Sequence, residues 1–136
     1  MPHADFPTAA LVTVEENADA FTVGLSETAA GDGARLILQC AVTPPTAQDA
    51  ATGMDTYCVM DGEGAVQYGA IRVAELGEAT LRLRFTAQAA GELAIQDADG
   101  LLTLGFPAAD RSRLAAALRR VLAYGDPARR PRLRGI

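Results

Sequence analysis

The sequence predicts an α+β fold, a twisted antiparallel sheet of about six or seven strands with a C-terminal helix packed on one face. Two observations carry that expectation. Apolar and polar residues alternate in most segments up to Phe106, which is the period of a half-buried strand. A helical period occurs once, over residues 110–124, where Leu114, Leu118, Val121 and Leu122 share a face.

The elements follow in order. Residues 11–15 and 20–25 read as the first two strands, joined through Glu16, Asn17, Ala18 and Asp19, with Phe21, Val23 and Leu25 on one face. A loop containing Gly31, Asp32 and Gly33 leads to a third strand at 35–41, where Leu36, Leu38 and Cys40 alternate with Arg35, Ile37 and Gln39. Pro44 and Pro45 stop the sheet, because proline has no N–H for a ladder and forces its predecessor out of the helical region. Residues 44–53 then form the longest non-strand stretch of the first half, and long loops on a rigid sheet are frequent binding elements.

Residues 54–60 read as a strand, 61–64 as a turn and 66–76 as the returning strand of a hairpin. The clearest alternation is at 80–86, with Leu81, Leu83 and Phe85 inward and Arg82 and Arg84 outward. A short helical turn is expected at 87–93, ended by Gly91, then a turn at 97–100 and a last strand at 101–106. Asp110 is the expected N-cap of the helix, and Gly125 with Pro127 closes it. Leu81, Leu83, Phe85, Leu114, Leu118 and Leu122 should be buried together. Residues 1–125 are expected to be one domain, and 126–136 a basic, proline-interrupted tail without structure.

Charge is divided unevenly. Residues 1–110 carry 16 acidic side chains against four arginines, a net of minus 12, whereas 111–136 carry eight arginines against Asp126 alone. An acidic body repels nucleic acid and attracts a basic protein. Arg111, Arg113, Arg119 and Arg120, with Arg129, Arg130, Arg132 and Arg134, lack the interleaved aromatics of a nucleic-acid site, so a solvated helix face and tail is the simpler expectation. No apolar run approaches a membrane span, and Met1-Pro2-His3-Ala4-Asp5 has no basic n-region. A cytoplasmic protein with Cys40 and Cys58 reduced and buried is therefore expected.

Catalytic chemistry is hard to assemble from these residues. His3 is the single histidine and sits at the chain end, which excludes most histidine-based mechanisms and leaves no expected metal or cofactor site. Gly62-Glu63-Gly64 lies between two strands rather than before a helix, so it reads as a turn and not a phosphate loop. Asp97-Ala98-Asp99-Gly100 opens like a calcium loop but has Ala108 where the bidentate glutamate belongs.

The segment Gly53-Met54-Asp55-Thr56-Tyr57-Cys58-Val59, preceded by Gln48-Asp49 and followed by Tyr68-Gly69-Ala70-Ile71, resembles the Immunity protein 10 family of bacterial polymorphic toxin systems. The strand ending Leu36-Ile37-Leu38-Gln39, the acidic loop after it and the C-terminal helix follow the same order. The resemblance runs from about Phe6 to Val121. It departs at Ala70, where a second glycine is expected, and the basic tail has no counterpart. It implies a cytoplasmic antidote that binds and blocks a cognate toxin domain, possibly a nuclease, without catalysis. Two other classes remain open from the residues alone: a small adaptor or structural subunit, and an enzyme or small-ligand binder using carboxylates or tyrosines.

For a protein-binding role, the expected contact surface combines the loop at 44–53 with the hairpin at 55–68. Asp49, Asp55, Asp61 and Glu63 would form an acidic edge, and Tyr57 and Tyr68 are amphipathic side chains of the kind enriched at interface centres.

Overall fold

A computed structural model describes residues 8–93 and 99–136. His3 and the expected turn residues Asp97 and Ala98 lie outside the described residues. The elements run β1 (Thr8–Ala9), β2 (Leu11–Glu16), β3 (Ala20–Ser26), β4 (Arg35–Ala41), α1 (Ala47–Ala51), β5 (Cys58–Asp61), β6 (Val66–Tyr68), β7 (Ile71–Leu76), β8 (Thr80–Phe85), α2 (Ala87–Glu92), β9 (Asp99–Leu104), α3 (Ala108–Leu122), a 3₁₀ turn (Pro127–Arg129) and β10 (Arg132–Arg134).

The architecture is α+β with a C-terminal helix, as expected, but the strands form two sheets rather than one. Among the described residues, sheet I has the order β1-β9-β8-β7-β10 and sheet II the order β2-β3-β4-β5-β6. Sheet II is an antiparallel meander. Sheet I is antiparallel at its centre, while its two outer strands pair parallel, Thr8 with Thr103 and Arg132 with Val73. A purely antiparallel sheet was the expectation, and it fails at both edges. Alternation reports which residues share a face, not which strand lies beside which.

The division falls inside the run expected as one returning strand, 66–76. Gly69 adopts φ +62, a left-handed conformation that breaks the strand at low steric cost for glycine. Its N–H donates to the Tyr57 carbonyl at 3.0 Å and so closes the hairpin. Beyond it the chain enters sheet I as β7, with an irregularity in the ladder between Ile71 and Val73.

One continuous core joins the sheets. Val23, Leu25, Leu38 and Val59 of sheet II and Ala74, Leu81 and Leu83 of sheet I are almost fully buried in the same cluster as Leu114, Leu118 and Leu122 of α3. The six residues expected to be buried together are all in it. Helix α3 lies across β2, β3 and β4. It starts three residues earlier than expected: Pro107, not Asp110, occupies the N-cap position, and Asp110 lies in the first turn. Arg120 near its end forms a bidentate pair with Glu16 at 2.9 and 3.0 Å and stacks over the Phe21 ring at 4.0 Å.

The arginine-rich segment has structure where none was expected. Gly125 bridges to Thr56, the Asp126 N–H donates to the Asp55 carbonyl at 2.8 Å, and β10 pairs with β7. Its composition is that of a disordered tail. Backbone pairing with distant strands supplies the order that its own sequence pattern lacks.

Candidate partner-binding surface

Helix α1 interrupts the stretch expected as a loop at 44–53. Thr46 accepts from the Asp49 N–H at 3.1 Å, and Asp49 accepts from the Thr46 N–H at 2.8 Å, a reciprocal cap that specifies the start of a five-residue helix. The Met54 N–H returns to the Asp49 carbonyl at 2.8 Å, and Gly53 takes φ +73. Met54 is thereby held on the surface, 47 % exposed.

The six candidate residues divide between core and surface. Tyr57 is completely buried. Its hydroxyl accepts from the Ile71 N–H at 2.9 Å and donates to the Ile71 carbonyl at 3.1 Å, joining the start of β5 to the start of β7 and thus one sheet to the other. Burial pushes its phenol up to about 12, against the lowering effects of the Ile71 bond and of Arg129. Asp61 is also buried, and its carboxylate accepts from the Glu63 N–H at 2.8 Å and the Ala65 N–H at 3.0 Å, organising the β5–β6 turn. Asp49 caps α1. Asp55 is half-buried against Arg129 at 3.7 Å. Tyr68 is half-buried and Glu63 exposed.

Arg129, expected as a solvated tail residue, is a junction. Its guanidinium donates to the Gly53 carbonyl at 2.6 Å and the Tyr68 carbonyl at 2.8 Å while facing Asp55. The loop, the β5–β6 hairpin and the C-terminal segment therefore meet at one planar fork. Nothing in the local pattern around Arg129 announces this, since every partner is distant in sequence.

On sheet II, the side chains opposite the core form a short apolar row. Cross-strand pairing places Ile37 beside Met60 and Met60 beside Val66, with Gln39, Cys58 and Tyr68 in the next row. Val66 is 42 % exposed. Met54 and Val66 are exposed apolar side chains at separate ends of this region: Met54 lies beside Asp49 and Asp55 after α1, and Val66 follows the turn that carries Glu63. Cys58 and Cys40 are buried free thiols, and burial raises the pKa of both. Among the described residues no cluster of His, Cys, Asp and Glu could hold a metal ion, and no helix is long and apolar enough to cross a membrane.

The chain matches the family model described as Immunity protein 10 over residues 8–112, most of its length. No curated protein and no solved structure matches it significantly. The match takes in all six candidate residues and ends within α3, so Gly125, Arg129 and β10 lie beyond it. The resemblance carried by residues 53–59 is thus confirmed over the body of the molecule, and this chain belongs to the Immunity protein 10 family.

Proposed function

We propose that this protein is a cytoplasmic antidote that neutralises a cognate toxin domain by binding it stoichiometrically, with no catalysis of its own. The family match over residues 8–112 is the observation that carries this reading. The surface chemistry supports it: exposed apolar side chains at Met54 and Val66, the first beside Asp49 and Asp55 and the second close in the chain to Glu63, favour a partner that offers apolar and basic side chains together. A toxin acting on nucleic acid would carry such a basic surface. Within this site Tyr57 and Asp61 act as supports, while Asp49, Asp55, Glu63 and Tyr68 remain contact candidates.

Co-expression of the chain with the toxin domain encoded beside it tests the reading. Growth should be rescued, the two proteins should co-purify by size exclusion, and protection in vitro should saturate near one equivalent. Failure to bind or protect overturns the antidote role. Protection by far less than one equivalent overturns its non-catalytic character.

A further inference from the structure

Sheet edges decide where a protein can accept another strand, because an edge presents backbone groups that no neighbour satisfies. Among the described residues this chain has four edges, and three are blunted. At β2 the Val12 carbonyl accepts from the Arg113 guanidinium at 3.0 Å, and Glu15 and Glu16 stand exposed at its end. At β10 Arg132 and Arg134 stand exposed, and β1 is two residues long. The fourth edge, β6, is Val66-Gln67-Tyr68 and carries no charged side chain; α2 packs beside it and the Arg129 guanidinium takes the Tyr68 carbonyl, so its accessible part centres on Val66, 42 % exposed.

The register shows which of its backbone groups face outward. The Asp61 N–H donates to the Ala65 carbonyl and the Gly69 N–H to the Tyr57 carbonyl, at 3.2 and 3.0 Å, bracketing the strand. Val59 and Gln67 lie in phase with those pairs, so Val66 and Tyr68 occupy the alternate positions, whose N–H and C=O groups point away from β5. The Tyr68 carbonyl confirms the phase, because it is taken by Arg129 from outside the ladder. The Val66 N–H, the Val66 carbonyl and the Tyr68 N–H are then directed at the open edge.

We infer that β6 is the docking edge for an extended segment of the toxin domain, which adds to sheet II as a sixth strand. The inference rests on the antidote reading and names the contact it uses. Main-chain bonds to Val66 and Tyr68 supply affinity, and alternate side chains supply selectivity. The added strand sets an apolar side chain against Val66 and Met60, and Lys or Arg near Asp49, Asp55 and Glu63. Arg129 closes the far end of the edge and limits its length. A second copy of this chain fits poorly, since pairing two β6 strands would bring the same carboxylates together.

Val66→Pro tests the edge. Proline removes the outward N–H and leaves the ladder to β5 intact, so the free protein should keep its fold and melting temperature near the parent's. Its Kd for the purified neighbouring toxin domain should rise at least about tenfold. A second measurement needs no variant: amide exchange in the parent complex should slow at Val66 and Tyr68 at least about tenfold and stay unchanged at Gln67, whose N–H already faces β5. A parent that inhibits the toxin, with Val66→Pro inhibiting equally and those two amides unprotected, overturns the edge alone. A parent that fails to bind overturns the antidote reading itself. A free protein that runs as a dimer and becomes monomeric in Val66→Pro assigns the edge to a second copy and overturns the inference.

Discussion

The two sheets share one core but present different exteriors. The outer side of sheet I is arginine-rich, with Arg82 and Arg84 on β8 and Arg132 and Arg134 on β10 flanking Val73 and Glu75 of β7. An open groove there is lined by Glu75, Thr80, Arg82, Leu101 and Arg134. Sheet II turns out Ile37, Met60 and Val66, with Arg35 exposed two residues before Ile37 on the same face and Glu63 in the adjoining turn. Sheet I ends on the short strand β1 and the arginine-bearing strand β10, whereas sheet II ends at one side on an uncharged strand, β6. Charge on an edge and on a face discourages unwanted pairing. The edge where charge is withheld is the edge to suspect of function.

The seam between the sheets is where the comparison is most easily broken. A Cβ at Gly125 would lie 1.9 Å from the Asp55 carbonyl oxygen, and the residue sits at φ +79. Gly125→Ala should therefore lower stability by at least about 2 kcal/mol in denaturant titration. A near-neutral result would mean that the C-terminal segment does not hold the sheets together.

Tyr57→Phe comes next. It strands the Ile71 N–H and carbonyl and should cost about 1–3 kcal/mol, while Tyr68→Phe should cost less than about 0.5 kcal/mol. The pH dependence sharpens the contrast. The phenol ionises near 10 in an unfolded chain and is pushed up to about 12 in the folded one, so the folded state holds that proton more tightly. Its contribution is complete below pH 10 and is lost as pH rises towards 12, to a total of about 2–3 kcal/mol. Thermal melts across that window should show a decline in the parent that Tyr57→Phe lacks in large part.

Arg129→Ala should cost about 1–2 kcal/mol and speed amide exchange over residues 53–57. Arg129→Lys should restore only part of both, because an ammonium cannot reproduce a fork that spans two carbonyls. Full rescue by lysine would reduce Arg129 to a source of charge. The smallest effect belongs to the faces themselves. Glu63→Gln should slow association with a basic toxin domain about twofold at low salt, and Arg134→Gln should not slow it, with both melting temperatures nearly unchanged. The opposite ranking would place the contact on sheet I.

Much of this was legible in the sequence. The bounds of β2, β3, β4 and β8 lie within a residue of those expected, because each strand alternates and is bounded by turn residues. The core face of α3 was legible for the same reason. Sheet membership was not, since residues 66–76 alternate acceptably as one strand and only the conformation of Gly69 divides them. Helix α1 had a visible signal in Thr46 and Asp49, three residues apart, but those residues lie in a segment that Pro44 and Pro45 mark as loop. The acidic edge was legible as composition only. Asp49, Asp55 and Asp61 each hold local structure, so neutralising them together with Glu63 would disturb the fold as well as the field. Tyr57 and Tyr68, alike in type, part company because strand phase sends one inward and the other out.

The pairing of Thr8 with Thr103 and of Arg132 with Val73 also bears on how fast the protein becomes useful after synthesis. Contacts between distant stretches of chain must wait for loop closure, and domains dominated by them fold in about milliseconds to seconds. On the ribosome the wait is longer. Sheet I cannot be completed, nor Arg129 reach Gly53 and Tyr68, until residues 125–134 clear the exit tunnel at roughly 5–20 residues per second. A nascent chain stalled before Gly125 can already contain the whole of β6, yet it lacks the segment that holds the neighbouring loop in place.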